Sequence, residues 1–439
     1  MGQVKYYHPE IEKMNRKALR ELQDERLRWQ IRRCLAKSEF YREKFKKAGI
    51  KAAHIKTVDD LVHVPVVTKQ ELRDEQIAHP PFGRYTVAPA KDWRELHPST
   101  GTTGTPVNTI WSEKDKENIT EVTARTMWSF GVRPGDIIQN GFSYGLWVAG
   151  MSSHYAAQRL KCFVIPIGAS MTGRQIDYML NPGSTVLLCT PSFALHIAET
   201  LRERGVSPKQ MKLRLGCFGG EGGTEAAATR SKIEQGLEIN AYDYYGLAEI
   251  GPTFASECTA KAGLHWSEDH YVIEIINPDT MDRCAEGEMG VLVITHLTRE
   301  ATPMIRYWTS DYARFDSRPC VCGRTHARSL GGILGRADDM VIYRGAKFYP
   351  VQVEKVVRSY QELGDEFIIE LTRDEKAYTD VCTVVCECLK TEEDRLALAR
   401  RLQGALKQEL MVTPEIRIEN FGTLERTTFK AKRIIDKRK

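Results

Sequence analysis

The segment His97-Pro-Ser-Thr-Gly-Thr-Thr-Gly-Thr-Pro106 holds the densest concentration of potential chemistry in the chain. Glycines let successive backbone N–H groups converge on an anion, and hydroxyls add short donors around it. Such a loop can cradle phosphate without a large charge, although the same composition also suits an ordinary surface loop. It is not a Walker A loop, because the G-x-x-x-x-G-K-[ST] spacing is absent. Tyr245-Gly-Leu-Ala-Glu249 places a carboxylate just behind a glycine turn, where it could ligate Mg²⁺, a hard cation that takes oxygen. Gly219-Gly220-Glu221 follows the strand-like run LRLGCF and would let backbone approach a flat ligand closely. Cys258 and His265, separated by six residues, combine with Cys320-Val-Cys322 into three thiols and an imidazole, a common structural zinc set. His326 is an alternative ligand. A full set leaves no open position, so such a metal would be structural.

These residues need a scaffold, and the patterning supplies one. Ile11, Met14, Ala18, Leu22, Leu27, Ile31 and Leu35 recur at helical spacing, which predicts an amphipathic helix over 11–35. KCFVIPIG and STVLLCTP read as buried strands, and SFALHIAETLRERG reads as a helix leading to LRLGCFGG. Strand–helix–strand at this spacing predicts parallel α/β architecture. The composition changes near residue 338. A helix (PVQVEKVVRSYQEL), two strands (FIIELTR, DVCTVVCECL) and a second helix (DRLALARRLQGALKQEL) then predict a small α+β domain. The expected organisation is a large N-terminal domain of mixed and parallel sheets over 1–337 and a small C-terminal domain over 338–439.

The 439 residues are 42% hydrophobic and 28% charged, which argues against long disorder and rods. Of the formal charge of +5, residues 426–439 carry seven basic groups against one acid, so the remainder is within one charge of neutral. A nucleic-acid footprint over a whole face is therefore not expected. No run approaches the roughly 18–20 apolar residues needed to cross a bilayer, and the N-terminus has neither an apolar signal core nor a myristoylation site. Eleven cysteines, mostly single within apolar runs, fit a reducing cytoplasmic setting.

Ser99–Pro106 (STGTTGTP) closely resembles the phosphate-binding loop of the adenylate-forming acyl-CoA synthetases, more particularly their phenylacetate–CoA ligase branch. PVVTKQELRD, FSYGLWVAGMSSHYAAQRLKCFVIPIG, CTPSFALHIAE, FGGEGGTE, YDYYGLAEIGPTFASEC, RYWTSD, GRADDMVIYRGAKFYPVQVE and KAKRIID continue the resemblance in order along nearly the whole chain. The resemblance implies that Ser99, Thr100, Gly101, Thr102, Thr103 and Gly104 hold ATP phosphates. It implies that Glu249 is the Mg²⁺-associated acid, that Tyr245 and Gly246 lie against adenine and substrate, and that the Gly220–Glu221 turn contacts adenine and the acyl pocket. Asp311 would accept from the ribose diol, and Arg336 would hold ribose and phosphate oxygens. Asp338 matches the hinge about which the small domain moves, and Lys430 matches the catalytic lysine. Tyr144, Gly145 and Trp147 match the segment enclosing an aryl ring. Some members of the branch carry a zinc set like the one here.

The implied activity is ATP-dependent ligation of an aryl or arylacetic acid to coenzyme A, through an acyl-adenylate, with release of pyrophosphate and AMP. Phenylacetate is the leading acid, and transfer to an amine or carrier protein is the alternative. The implied partners are a small aromatic carboxylic acid, ATP and CoA, with no nucleic acid and no membrane, in a monomer or homodimer. The chain departs from the family pattern at four places. Thr105 stands where many members have Lys, Ser310 and Phe429 where Gly is usual, and Gly220-Glu221-Gly222 where Ala-Glu-Pro is common. Lys432, Arg433, Lys437 and Arg438 are expected to form a solvated basic face.

Overall fold

The computed structural model describes residues 5–99, 105–169, 171–374, 379–388, 392–426 and 433–438. The strands Phe163–Ile165, Ile137–Asn140, Val186–Cys189, Leu215–Phe218 and Asn240–Leu247 lie side by side in that order, all parallel. All four residues of Val186–Cys189 and of Leu215–Phe218 are buried, as parallel strands covered on both faces must be. The helix Pro191–Glu203 provides the crossover between them, with Thr190 capping its first turn. The predicted strand–helix–strand unit is thus present. Beyond Asn240–Leu247 the sheet turns antiparallel, through Gly251–Ser256, Leu264–Trp266 and Arg328–Ser329. A second, three-stranded antiparallel sheet comprises Tyr271–Ile276, Met289–His296 and Tyr307–Arg314.

The N-terminal helical stretch differs from its expected form. It breaks into Pro9–Glu12 and Arg16–Lys37, because Asn15 turns extended and its side chain caps the Ala18 N–H at 2.9 Å. The buried stripe is also rotated from the apolar one, to Leu19, Gln23, Leu27, Gln30, Ile31 and Cys34. Gln23 and Gln30 are admitted because they donate to the carbonyls of Glu268 (2.8 Å) and Arg299 (2.7 Å), so neither amide is left unsatisfied as a donor.

The C-terminal unit has its own core. Phe348, Val353, Phe367, Ile369, Val384, Leu402 and Leu406 pack together, and among the described residues that core draws only on positions from Val341 onward. Its sheet pairs Leu363–Asp374 with Thr379–Cys388 antiparallel, with Ile434–Asp436 and Glu415–Asn420 added parallel at the two edges. The helices Pro350–Val357 and Glu392–Leu410 complete the expected order. Polar contacts join this unit to the rest of the chain: Lys232–Asp365 at 2.6 Å, Arg358–Thr229 at 2.9 Å and Arg426–Glu199 at 3.2 Å. The expected solvated basic face is only partly present. Arg433 is half-buried, pairs with Glu366 at 2.6 Å and stacks over Phe367, Arg438 pairs with Asp436 and Asp380, and Lys432 lies outside the described residues. Sheet formation draws these arginines inward because each finds a carboxylate of the same unit. No helix of the described residues is long and apolar enough to cross a membrane.

Candidate active site

The main sheet changes from parallel to antiparallel at the Tyr245-Gly-Leu-Ala-Glu249 motif. The register slips between Tyr245 and Leu247, the mark of a β-bulge, which re-aims the side chains beside it. A Cβ on Gly246 would lie 1.9 Å from the Pro252 carbonyl oxygen, so no larger residue fits that close approach. Tyr245 then donates its hydroxyl to Asp311 on the neighbouring three-stranded sheet. The other Asp311 oxygen accepts from Arg336 Nη1 at 2.8 Å. Arg336 continues the chain through its other two nitrogens, to Asp338 at 2.9 and 2.8 Å. Four residues singled out in the sequence are thus in direct contact. Burial, followed by the Asp311 charge, pushes the Tyr245 hydroxyl well above its ordinary pKa, which keeps it a donor. Ser310, beside Asp311, has φ +65°, a left-handed conformation that favours glycine and accounts for glycine being usual there.

Glu249 is buried, and its Oε1 forms an ion pair with Lys69 at 2.9 Å. Tyr307, also buried, is raised well above its ordinary pKa by burial and then by Glu249. Sequence reasoning missed Lys69 and Tyr307. A signal for Lys69 was present: Thr68 and Glu71 form a capping box that starts the helix Lys69–Ala78. A lysine in a first helical turn opposes the helix dipole, so an anionic partner elsewhere is expected. The same helix holds the stem of the glycine–threonine loop, since Arg73 donates to Thr105 O at 2.9 Å and Gln76 to Pro106 O at 3.0 Å.

The loop itself is closed by Glu95–Pro98 pairing with Asn108–Trp111. The Ser99 hydroxyl accepts from the Val107 N–H at 3.0 Å and so ties the base of the loop. Thr100, Gly101, Thr102, Thr103 and Gly104 lie outside the described residues, as does Lys430.

After the neighbouring strand Leu215–Phe218, Gly220 has φ +89°, and a Cβ there would lie 3.5 Å from the Trp147 ring. At Gly219 a Cβ would meet Tyr244 at 2.7 Å. The turn therefore brings bare backbone against aromatic rings. Glu221 serves the scaffold, accepting the Ser192 N–H at 2.9 Å at the start of Pro191–Glu203. Tyr144 accepts from Asn140 Nδ2 at 2.8 Å and meets His154 Nδ1 at 3.2 Å, and Gly145, at φ +86°, turns the chain between Tyr144 and Trp147. Gly220 and Trp147 thus face one another, while Tyr144 is tied to Asn140 and His154.

The Cys/His set also assembles. Ligand atoms of Cys258, His265, Cys320 and Cys322 all lie within 4.8 Å of one another, and all four residues are buried. Cys258 Sγ and Cys320 Sγ are 3.9 Å apart, close to the edge of a tetrahedron with Zn–S of about 2.3 Å. Cys322 Sγ lies 3.6 Å from His265 Nε2. His265 Nδ1 faces the His326 carbonyl at 3.3 Å, which leaves Nε2 toward the thiols. Cys322 is held well below the usual thiol range by its contact with Cys258 and then by His265, against burial. His326 does not join the set. Its Nδ1 faces Trp266 O at 2.9 Å and its Nε2 faces Ile11 O at 3.2 Å, so both ring nitrogens are engaged with backbone. The knuckle also clasps the chain's start, through Tyr6 to Cys322 O at 2.8 Å and Arg324 to Glu12 at 2.7 Å.

Between the two units, Glu225 approaches Glu354. A Cβ on Gly223 would lie 3.4 Å from Glu354 Oε1, and the Gly223 N–H donates to Glu225 at 2.7 Å. Burial, then the Glu354 charge, pushes the Glu225 carboxyl up to about 7.

Residues 345–438 match the family of AMP-binding enzyme C-terminal domains. A phenylacetate–coenzyme A ligase of Thermus thermophilus is 36% identical over 451 residues, covering 99% of this chain and 100% of that one. A crystal structure of a 2-hydroxyisobutyryl-CoA ligase with 2-HIB-AMP, described as the postadenylation state, is 28% identical and superposes with a TM-score of 0.93, over 100% of this chain and 94% of the other. The same ligase with 2-HIB-AMP and CoA, in the thioesterification state, covers as much but superposes with a TM-score of only 0.76. The fold and the site define an adenylate-forming enzyme of the AMP-forming acid–thiol ligase class. Within that class, the chain belongs to the phenylacetate–coenzyme A ligase family.

Proposed function

We propose that this chain activates a small aromatic carboxylic acid, with phenylacetate the leading candidate, as an acyl-adenylate and then passes the acyl group to coenzyme A. Carboxylate attack on the α-phosphorus expels pyrophosphate, and thiol attack on the mixed anhydride expels AMP. Asp311 would hold the ribose diol, with Arg336 on ribose and phosphate oxygens and Tyr245 against the adenine. The Gly219–Gly220 backbone would lie between adenine and acyl group, and Tyr144 and Trp147 would flank the aryl ring. Glu249 would ligate Mg²⁺, whose charge helps neutralise the ATP phosphates, and Lys69 shares the same carboxylate. Lys430 would bridge the attacking oxygen and the α-phosphate, stabilising charge that develops in the transition state. Residues 338–439 form a lid that turns about Asp338, and Cys258, His265, Cys320 and Cys322 hold a structural Zn²⁺. The eleven cysteines, mostly single within apolar runs, support a reducing, cytoplasmic setting.

The observation that carries this reading is the bonded chain Tyr245–Asp311–Arg336–Asp338, which joins the proposed ribose site to the proposed hinge. The test is acid-dependent ATP–pyrophosphate exchange across a panel of aryl and arylacetic acids. Exchange is expected with at least one of them and is expected to vanish in Lys430→Ala, while thioester formation from supplied acyl-adenylate and CoA persists. No exchange with any acid, or equal loss of both half-reactions in the variant, would refute it.

A further inference from the structure

Glu199 sits on the helix Pro191–Glu203, remote in sequence from every residue given a role above, with its side chain 14% exposed. It receives the guanidinium of Arg426 in a fork, Nη2 to Oε1 at 3.2 Å and Nε to Oε2 at 3.4 Å. Arg426 is 15% exposed and does not depend on Glu199 for its orientation. Within the C-terminal unit its Nη1 donates to Glu387 at 2.7 Å and to the Leu424 carbonyl at 2.8 Å, and its guanidinium lies 4.9 Å over the Phe421 ring. The C-terminal unit thus presents a pre-set cation, and the N-terminal body answers it with one carboxylate. Burial works against the charge on Glu199. Hydrogen bonds from His196 and Arg426 outweigh burial and hold the carboxyl below its ordinary range. Another ionic contact across the units, Lys232–Asp365, is more exposed, at 23% and 31%, and so is more screened. Arg426 also lies four residues before Lys430 in the chain.

We infer that Glu199 is a positioning residue for adenylation, acting through Arg426 to latch the C-terminal unit in the arrangement seen here. The latch rests on the two-step reading proposed above. A planar fork between partly desolvated charges is directional, so it holds an orientation better than a point contact would. The related ligase superposes less well in its thioesterification state than in its postadenylation state, so the pair is expected to have no part in thioester formation. A latch of this kind speeds one half-reaction and leaves the other unchanged, which a residue needed only for folding could not do.

Glu199→Gln keeps the shape and removes the charge, while Arg426 retains Glu387. Acid-dependent ATP–pyrophosphate exchange is expected to fall about tenfold, while thioester formation from supplied acyl-adenylate and CoA stays within about twofold and the melting temperature holds. Unchanged exchange, or equal losses in both half-reactions, would overturn the latch. Small-angle scattering of the nucleotide-free wild type and variant adds an activity-independent readout. The variant's profile is expected to shift away from that of the present arrangement, and an unchanged profile would count against the latch. If the wild type exchanges with no acid, the proposed activity fails, and scattering alone still judges the latch.

Discussion

In the Cys/His cluster all four ligand atoms lie within 4.8 Å of one another and every side chain is buried. At the proposed nucleotide site the chain of contacts runs outward instead, from Tyr245 through buried Asp311 to Asp338, whose side chain is 57% exposed. Both constellations draw on segments far apart in sequence, and both are built on strands of the N-terminal body. They differ in what is left open. The cluster spends each donor on its neighbours, which suits a metal with no coordination position to spare. The nucleotide site ends at the junction with a separately packed unit, which suits a device whose parts must move. Closure fits the structural role proposed for the cluster, and incompleteness within one unit fits the working role proposed for the other site.

The largest expected effect breaks the open side of this comparison. Asp311→Asn leaves Tyr245 and Arg336 without their shared anion, and losing a buried charge between two donors costs about 3 kcal/mol or more. Steady-state kinetics should show kcat/KM for ATP falling by about a hundredfold, with a much smaller change in KM for CoA. Equal changes for both substrates would remove Asp311 from the nucleotide site. Next in size is metal removal. Chelation, or Cys322→Ser, should lower the melting temperature by about 5 °C or more, as loss of a structural metal does. Enzyme that remains folded should keep its turnover. Loss of turnover with an unchanged melting temperature would reverse the two roles.

How much of this could be read from the amino-acid sequence depends on the range of each contact. Ordered motifs singled out Tyr245, Asp311, Arg336 and the four clustered Cys/His residues, because each sits in a short segment with its own signature. Spacing could not reveal that Tyr245 bonds Asp311, which is 66 residues away, since only the packing of two sheets creates that contact. Lys69, Tyr307, Glu199 and Arg426 escaped for the same reason. The buried stripe of the helix Arg16–Lys37 was read only in part, at Leu27 and Ile31, because apolar periodicity does not count glutamines that are buried by donating to carbonyls. His265 and His326 are indistinguishable by type, and only the backbone contacts at both His326 nitrogens separate them.

A subtler test addresses the junction between units. The Glu225 carboxyl is raised from 4.5 to about 7, so the folded state holds a proton that the unfolded chain has released. Its contribution to stability is therefore complete below the ordinary carboxylate value and is lost as pH rises through the folded one. Glu354 and Arg358 face it from the C-terminal unit, and Asp243, itself raised, faces it from the body. The wild-type melting temperature should decline between about pH 5 and about pH 8, and Glu225→Gln should flatten part of that slope. An identical slope in the variant would show that the carboxyl carries no such proton. The smallest effect is local. Ser310→Gly removes a left-handed serine and should stabilise the protein by about 0.5 kcal/mol, measured by chemical denaturation. A destabilisation would mean that the serine side chain makes a contact worth more than the backbone relief.

The central claim is that this site makes an acyl-adenylate and delivers it to a thiol. It is tested most directly by incubating the protein with Mg·ATP and a panel of aryl and arylacetic acids, with and without CoA, and measuring AMP release. Sustained AMP release that requires CoA together with an aromatic acid, accompanied by the matching thioester, is expected. Release that proceeds equally well without CoA, or that requires an amine or a carrier protein in its place, would contradict it.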